Sequence, residues 1–446
     1  MEWSPSPKTN FRWKGSRESC TGGAYTTPLP VEPTAGREGG GRSDGYPWRA
    51  MTDPRKDMSR LAAIDWMRGF VMVLMAVDHA SQMWNGGRVS SDSAYLANLF
   101  VGGEYWIPGT ELDPAQFFTR WITHLCAPTF LFLSGTSLAM SLEKRRALGM
   151  AERELDRHLL IRAGILLACE GFLSLMAGTG VLMLQVLFAI GASMIAMVVL
   201  RRLPTAVLLA IGLAWLAGSE FILFYLFPIP NDLSTGAVGH FSTLTTLLFV
   251  PGNGEFVANA YPMAHWLAMM LLGWAFGRHL LAQPANETGR QETEKLLLLC
   301  GLTALLLWSF IRSHNGYGNM GLLRDDRSVI QFLHMSKYPP ALAYSLLELG
   351  LMALGLVICL RTERRLTKPA NPNNPLLVYG QTALFFYMLH FIVLGAAATA
   401  ITGGMMLRGL QETWLAAGGV LVVLYPACVW FRNLKRRHPE SVLQYF

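Results

Sequence analysis

Residues 61–84 read LAAIDWMRGFVMVLMAVDHASQMW, a mostly apolar stretch with Asp65 and Arg68 near its start and Asp78 and His79 near its end. About 20 apolar residues span the hydrocarbon core of a bilayer, so this stretch has the length of a transmembrane helix. Ionisable side chains are costly in hydrocarbon, and those inside transmembrane helices usually serve a function. The stretch therefore predicts a first transmembrane helix with a functional polar face.

The spacing along this helix places its polar groups on one side. His79 follows Arg68 by eleven positions, so the two side chains lie within about 20° of the same face and about 16 Å apart along the axis. Asp65 precedes Arg68 by three positions, where the two charges can neutralise each other. One face thus carries an ion pair at one depth and an imidazole near the opposite surface, and that arrangement can bridge two compartments.

The composition is that of a membrane protein. The chain has 446 residues, of which 52% are hydrophobic and only 15% charged, whereas soluble domains carry about 25% charged residues. We expect an all-α polytopic integral membrane protein of about ten transmembrane helices. These are predicted at 61–84, 116–142, 156–177, 181–200, 204–224, 258–280, 295–312, 339–360, 376–401 and 413–432.

The charges of the connections alternate. The connections after the second, fourth, sixth and eighth helices are rich in Lys and Arg, whereas 85–115 and 225–257 are mainly acidic. The connection 313–338 is the exception, with basic and acidic residues together. Positive connections mark the cytoplasmic side, so we expect both termini in the cytoplasm. The net charge of +7 then follows from topology, and the lipid bilayer rather than a nucleic acid is the expected partner.

The chain divides into three regions. Residues 1–57 are rich in Gly, Ser, Pro, Arg and Glu, so we expect a disordered N-terminal extension that buries no core. Met51 and Met58 are alternative starts, which leaves open whether this extension is translated. The membrane domain is predicted at 58–438 and a cytoplasmic tail at 439–446.

Several common kinds of chemistry have no sequence support. Five of the six cysteines lie in apolar segments and Cys20 lies in the N-terminal extension, so no disulfide framework or CxxC site can be identified. The chain has no HExxH zinc motif, no Cys/His zinc spacing, no phosphate-binding Gly loop and no GxSxG nucleophile motif. We expect no metal.

Polar residues of four further segments are predicted to gather near the outer surface. His124 lies one turn beyond Arg120 in the second segment, and the following Pro128 is expected to kink that helix. Tyr261-Pro262 precedes the sixth segment and Lys337-Tyr338-Pro339-Pro340 the eighth. His390 lies nearer the midplane in the ninth.

A series of motifs gives the chain a family resemblance. The chain resembles the transmembrane acyltransferases, and most closely the bacterial branch of the heparan-α-glucosaminide N-acetyltransferase catalytic-domain family. The motifs run in order over nearly everything from about residue 58 onward: Arg60-Leu61, Ile64-Asp65-x-x-Arg68-Gly69 with His79, Phe117 to Pro128 leading into Phe132-Leu133-Ser134-Gly135, Tyr261-Pro262 with Trp266 and Gly273, Lys337-Tyr338-Pro339-Pro340, and Phe385-Phe386-Tyr387-x-x-His390.

The resemblance implies transfer of an acyl group, usually acetyl from cytosolic acetyl-CoA, to a sugar or glycan on the far side of a bacterial inner membrane. It makes His79 the expected catalytic residue and Arg68 a helper at the cofactor end. The lysosomal relatives place their catalytic histidine in the loop before the second helix, but loop 85–115 here has none. The assignment of His79 therefore follows the wider superfamily, and the lysosomal acceptor is not carried over.

Each candidate residue has a functional and a structural interpretation. His79 can act as a general base, or can itself be acylated and relay the group; otherwise it only reaches toward the interface. Asp78 is about 100° from His79 around the helix and is not expected to orient it. The candidates are His79, His124 and Asp78 for catalysis, Asp65, Arg68, Gln185 and His390 for cofactor binding, and Arg120, Lys337 and Tyr338 for substrate binding.

Two other functions remain open from the sequence. A proton-coupled transporter or exporter would use Asp65, Asp78, His79 and His124 as a polar path through the membrane. Such a protein would need a proton gradient and no acyl-CoA. A purely structural membrane component would be insensitive to loss of His79. The oligomeric state is also left open, including a homo-oligomer.

Overall fold

The structure is a computed structural model of the chain. Each of the predicted membrane segments contains a helix in it. It describes residues 61–89, 92–93, 112–227, 241–253, 256–324, 326–366, 370–438 and 441–445. All of these lie in one compact unit. The predicted N-terminal extension 1–57 lies outside the described residues, as does most of loop 85–115.

The helices are, in chain order, α1 Ala62–Trp84, α2 Pro114–Trp121, α3 Cys126–Ala147, α4 Glu152–Ala177, α5 Val186–Leu200, α6 Thr205–Leu226, α7 Thr243–Leu248, α8 Met263–Ala282, α9 Glu287–His314, α10 Val329–Leu333, α11 Leu342–Arg365, α12 Pro375–Gln381, α13 Ala383–Thr402 and α14 Leu410–Arg437. Short 3₁₀ turns occupy Ile122–Leu125 and Val442–Tyr445. The strands β1 Leu182–Leu184, β2 Gly252–Asn253 and β3 Val257–Asn259 form a small sheet in the order β1-β3-β2.

The predicted all-α membrane fold is confirmed. Seven spans in the described part of the chain are long and apolar enough to cross a membrane, including the continuous run Pro114–Ala147. Helices α1, α5 and α8 are not among the seven. Helix α1 carries ionisable residues at both ends, α8 carries Arg278 and two histidines, and α5 has only 15 residues.

Helix α1 lies inside the bundle. It packs against α3, α11, α12, α13 and α14, and most of its residues are buried, including Asp65 and His79. Lipid-facing helices need apolar surfaces, but a helix surrounded by protein can carry polar groups where neighbouring helices supply partners. The central position of α1 therefore explains how it can carry buried ionisable residues at both ends.

The ninth predicted segment is interrupted in the structure. The sequence predicted one helix over 376–401, but α12 ends at Gln381 and α13 begins at Ala383. At Gly380 an added Cβ would lie 1.9 Å from the carbonyl oxygen of Asp65, so α12 approaches α1 too closely for any side chain. Because the helix is interrupted, the carbonyl oxygen of Gly380 is available to a side chain, and Nη1 of Arg68 donates to it at 3.2 Å.

The second segment has the irregularity that Pro128 predicts, but one turn earlier. The 3₁₀ turn Ile122–Leu125 separates α2 from α3. Because proline lacks an N–H, Pro128 cannot donate to the carbonyl of His124 four residues earlier. The hydroxyl of Tyr344 on α11 donates to that carbonyl instead, at 2.9 Å. The missing backbone bond thus becomes a contact between helices.

Candidate active site

A central cavity of about 470 Å³ lies between α1, α3, α4, α5 and α13. Its basic end carries the side chains of Arg68, Lys144, Arg162 and Lys435. Its other end is apolar and is lined by residues that include Met75, Val186 and Tyr387. The cavity thus joins a positively charged end to an apolar end, a combination that suits a ligand with an anionic head and an uncharged arm.

Asp65 and Arg68 form part of the wall at the basic end. Nη1 of Arg68 donates to Oδ1 of Asp65 at 2.7 Å, as their spacing of three residues favours. Nη2 of Arg68 donates to the hydroxyl of Ser137 on α3 at 2.8 Å. The guanidinium is therefore held by three helices, α1, α3 and α12, with its position fixed beside the cavity.

Arg162 on α4 is a second arginine in this wall. Among the residues that the structure describes, it has no hydrogen bond and no carboxylate partner. The charges that act on it are those of Arg68 and Arg145, which are also positive. An arginine among like charges lacks its usual compensation, so this end of the cavity favours an anion.

The apolar end of the cavity leads to a pair of histidines. Met75 lies one turn before His79 on α1, and Tyr387 lies one turn before His390 on α13. Nδ1 of His79 lies 2.7 Å from Nε2 of His390. The ring of Tyr387 meets His79 edge-on, with 5.8 Å between ring centroids. The histidine pair, His79 with His390, therefore lies behind Met75 and Tyr387 and does not itself line the cavity.

Beyond the histidine pair lies an ionic cluster made of Asp78, Arg88, Asp92 and Arg120. Oδ1 of Asp78 accepts from Nη2 of Arg88 at 2.7 Å and from Nη1 of Arg120 at 2.6 Å. Arg120 also binds Oδ2 of Asp92 through Nε and Nη2, both at 2.7 Å. Both arginines are buried. Asp78 faces this cluster and not His79, as its place on the helix predicts.

The charges of this cluster hold the loop carboxylate of Asp92 in its ionised form. Burial by itself would raise the pKa of Asp92, but the adjacent Arg120 outweighs burial and holds the pKa well below its usual range. The backbone carbonyl of Asp92 also accepts from the N–H of Lys337, at 2.8 Å. Asp92 thus ties the start of α11 to α2 through both its side chain and its main chain.

His124 lies beside the ionic cluster without a hydrogen bond to it. Its Nε2 is 3.2 Å from Oδ2 of Asp92, an ion-pair distance. The orientation does not satisfy hydrogen-bond geometry, and both ring nitrogens lack a partner among the described residues. The ring packs edge-on against Tyr344, with centroids 5.7 Å apart. His124 is therefore placed next to the cluster but separated from the histidine pair by Asp78 and Arg120.

Lys337 and Tyr338 complete this side of the site. Nη2 of Arg120 donates to the hydroxyl of Tyr338 at 3.4 Å, and the hydroxyls of Tyr338 and Tyr261 are 3.3 Å apart. Burial raises the pKa of Tyr338, but the positive charges of Lys337 and Arg120 outweigh it, so the pKa lies below its ordinary value. Burial raises the pKa of Tyr261 well above its ordinary value.

Lys337 is a buried cation without a carboxylate partner. Its side chain is 1% exposed, and Nζ lies 5.3 Å from the centroid of the Tyr338 ring. No ion pair joins it to any acidic group among the described residues. The carboxylates of Asp78, Asp92 and Glu348 act on Lys337 from beyond ion-pair distance, so its ammonium is suited to meet a polar or anionic ligand.

The structure brings most of the predicted site residues into one continuous column. Asp65 and Arg68 lie at the basic end of the cavity, and His79 with His390 lies above its apolar end. Asp78, Arg120, His124, Lys337 and Tyr338 surround the ionic cluster. Gln185 does not line the cavity; its backbone N–H donates to Oε1 of the buried Glu170. His79 and His390 also lie outside the cavity wall, with Nδ1 of His79 2.7 Å from Nε2 of His390.

Several residues of this column were not predicted as site residues. Arg88 and Asp92 were interpreted only as loop charges, and Arg162, Ser137 and Gly380 were not singled out. Asp92 follows Asp78 by 14 residues in a segment of mixed charge, which gave no sign that both carboxylates share Arg120. Arg162 had a visible signal, because it lies in an otherwise apolar part of α4.

The described residues contain no group of three or more His, Cys, Asp or Glu side chains that could hold a metal ion. The arrangement instead offers hydrogen-bonded imidazoles for proton transfer and cations at two depths for anionic groups.

A comparison with protein families assigns residues 105–312 to the family described as heparan-alpha-glucosaminide N-acetyltransferase, catalytic. The predicted resemblance to this family, whose description is that of an acetyltransferase, is thereby confirmed over residues 105–312, without distinction of a bacterial branch. The matched region runs from the loop before α2 to the end of α9 and includes Arg120, His124 and Arg162. It does not include His79 or His390, whose roles rest on their geometry. A search of curated proteins finds no matching relative.

Proposed function

We propose that this chain transfers an acyl group across a membrane. Its residues 105–312 match the family described as heparan-alpha-glucosaminide N-acetyltransferase, catalytic. The donor is an acyl-CoA, with acetyl-CoA as the expected species, bound in the central cavity. The acceptor is a sugar or glycan on the opposite side, and His79 is the base. One observation carries this proposal: a single cavity runs from a cluster of cations to Met75 and Tyr387, and the ring of Tyr387 contacts His79.

The donor fits the two halves of the cavity. The phosphates of CoA would lie against Arg68, Arg162 and the lysines at the basic end, where charge-assisted hydrogen bonds favour them. The uncharged arm would run along the apolar wall toward Met75 and Tyr387. Arg68 and His79 are about 16 Å apart along α1, so an extended arm can bring a thioester to the histidine pair.

His79 can carry out the chemistry of the transfer. Its ring removes the proton from a hydroxyl or amine of the acceptor, whose oxygen or nitrogen attacks the thioester carbonyl carbon. The C–S bond then breaks, and the thiolate of CoA takes the proton from the ring. In the relay variant, His79 itself forms the bond to the acyl carbon before the acceptor does. Both routes need the imidazole of His79 next to Tyr387, which lines the apolar end of the cavity.

The acceptor side is supported by the ionic cluster. Arg120 and Tyr338 present a guanidinium and a hydroxyl on the side of His79 away from the cavity. Lys337 adds a buried cation that an acceptor oxygen can contact. In this arrangement Asp78 holds Arg88 and Arg120 beside His79. His124 borders the acceptor region and can exchange a proton with it.

The membrane orientation follows from the same proposal. The basic end of the cavity faces the cytoplasm, where CoA is found, and both termini are cytoplasmic. The membrane is the bacterial inner membrane, and the lipid bilayer surrounds the exposed apolar faces of the outer helices. This orientation agrees with the charges of the connections, and accessibility labelling of single cysteines at Arg153 and Ser242 would test it.

The experiment measures thiol release from acetyl-CoA by the purified protein in nanodiscs, with glucosamine as the probe acceptor. The free thiol of CoA also forms when the acyl group is transferred to water, so the assay does not require the natural acceptor. The wild type should release CoA. So should the control His279→Gln, whose position on α8 is far from the histidine pair. His79→Gln should lose this activity by about 10²-fold or more. Equal release by His79→Gln and the wild type would overturn the proposal.

A further inference from the structure

We infer that His390 is a positioning residue that holds the proton of His79 on Nδ1 and so leaves Nε2 of His79 free to act as the base. This inference rests on the proposed acyl transfer and names the residue that prepares its base. The geometry of three groups, the carbonyl of Phe386 and the two imidazoles, determines the positions of both protons.

The first step concerns His390. Its Nδ1 lies 2.9 Å from the backbone carbonyl oxygen of Phe386, one turn earlier on α13. A carbonyl oxygen can only accept a hydrogen bond, so the proton is on Nδ1 of His390. A neutral imidazole carries one N–H, and Nε2 of His390 is therefore an acceptor. The helix backbone thus selects one tautomer of this ring.

The second step passes this choice to His79. Its Nδ1 is 2.7 Å from the accepting Nε2 of His390, so Nδ1 of His79 must carry the donated proton. The rings are nearly coplanar, with an interplanar angle of 15° and centroids 4.9 Å apart, as a hydrogen bond in the ring planes requires. Nε2 of His79 is then unprotonated.

The third step concerns what Nε2 of His79 can reach. Among the described residues it forms no hydrogen bond, and His79 keeps 6% of its surface accessible, whereas His390 keeps none. Neighbouring rings fix both imidazoles: Phe386 stacks on His390 at 5.0 Å, and Phe391 meets His79 edge-on at 4.9 Å. The free lone pair therefore belongs to the histidine that solvent or a ligand can approach.

This arrangement has a direct chemical consequence. When Nε2 of His79 takes the acceptor proton, the ring becomes positively charged while its Nδ1–H still donates to His390. That hydrogen bond strengthens because its donor is now charged. The proton leaves Nε2 again for the sulfur of CoA, so neither histidine changes its protonation over the cycle. His390 touches neither the acyl group nor the acceptor.

The test combines a spectroscopic and a kinetic measurement on the full chain in nanodiscs. The ¹⁵N chemical shifts of labelled histidine distinguish an Nδ1–H ring from an Nε2–H ring, and the signals of His79 are identified by their loss in His79→Gln. Two variants alter the partner. His390→Gln keeps a side-chain oxygen that can accept from His79, whereas His390→Phe fills the space without an acceptor.

The wild type should show His79 as the Nδ1–H tautomer, and His390→Phe should lose that signature. In the kinetic arm, kcat for CoA release should fall about 10²-fold in His390→Phe, with the KM for acetyl-CoA little changed because His390 lies outside the cavity. His390→Gln should recover part of kcat. A general loss of folding would lower the amount of active protein in both His390→Phe and His390→Gln. It would not give the two variants different values of kcat.

Two results would overturn the inference. One is a wild-type His79 protonated on Nε2, and the other is an unchanged kcat in His390→Phe. If the wild type released no CoA while His79 showed the Nδ1–H tautomer, the proposed function would fail and the proton arrangement would stand. The spectroscopic arm therefore separates failure of the inference from failure of the acyl-transfer proposal.

Discussion

Arg120 donates a 2.6 Å hydrogen bond from Nη1 to Oδ1 of Asp78, the residue that immediately precedes His79. This contact joins the acceptor side of the site to the helix that carries the proposed base. Arg120 also binds Asp92, so one guanidinium connects α1, α2 and the segment after α1. The position of His79 therefore depends on a buried ionic cluster that lies outside the cavity.

Loss of Arg120 should destabilise the protein strongly. Arg120→Gln leaves two carboxylates, Asp78 and Asp92, with less compensation in a buried site, and breaking such a pair typically costs about 3–5 kcal/mol. The midpoint of thermal unfolding in detergent should fall accordingly. In a double-mutant cycle, Arg120→Gln with Asp92→Asn should lose less stability than the sum of the single changes. Additive losses would show that the two side chains do not interact.

The acid dependence of stability should reveal the ionised state of Asp92. Its pKa in the folded protein lies below the unfolded value, so its contribution is fully present above the unfolded pKa of about 3.9. The contribution is lost as the pH falls through the lower, folded value. The difference in unfolding midpoint between the wild type and Asp92→Asn should be constant above about pH 5 and shrink in stronger acid. A difference that already shrinks near neutral pH would contradict the paired carboxylate.

Gly380→Ala tests the close approach of α12 to α1. The added Cβ would lie 1.9 Å from the carbonyl oxygen of Asp65, so α12 must move and the contact of Gly380 with Arg68 must lengthen. We expect a loss of about 1–3 kcal/mol in stability and weaker binding of acetyl-CoA. The matched control is Gly418→Ala on α14, where nothing lies within 4 Å of the added Cβ. Equal behaviour of the two variants would mean that this approach has no role.

Lys337→Gln separates the two sides of the site. Removal of this unpaired cation should raise the KM for the acceptor about tenfold, because a charge-assisted contact is worth about 1.5–3 kcal/mol. The affinity for acetyl-CoA should not change, since Lys337 does not line the central cavity. Lys295→Gln, on the exposed part of α9, serves as the control. A change in acetyl-CoA affinity with an unchanged acceptor KM would place Lys337 on the donor side.

The membrane segments and the pairing of Asp65 with Arg68 were predictable because both depend on local sequence. Apolar runs of fixed length give helices, and a spacing of three residues gives neighbouring side chains on one face. The break at Thr382 was not predictable, since it lies beside the close approach of Gly380 to the backbone of Asp65, more than 300 positions away. Local propensity alone favours a continuous helix over 376–401.

The partners of the buried polar residues could not be predicted from the sequence. Glu170 accepts from the backbone N–H of Gln185, and Glu220 accepts from that of Gly318 at 2.6 Å. Nε2 of His265 lies 3.1 Å from the carbonyl of Phe249. Each partner lies on a different element, and its position depends on packing between helices. The sequence shows that such groups need partners, but only the fold supplies their identity.

The most direct test of the donor cavity is calorimetric titration of acetyl-CoA into the protein in nanodiscs. The wild type should bind saturably. Arg162→Gln, which removes the unpaired cation of the cavity wall, should weaken binding about tenfold or more. Arg157→Gln, which removes the same charge from an exposed position on the same helix, should bind as the wild type does. The absence of binding to well-folded wild-type protein would contradict the account and direct the search to solute transport.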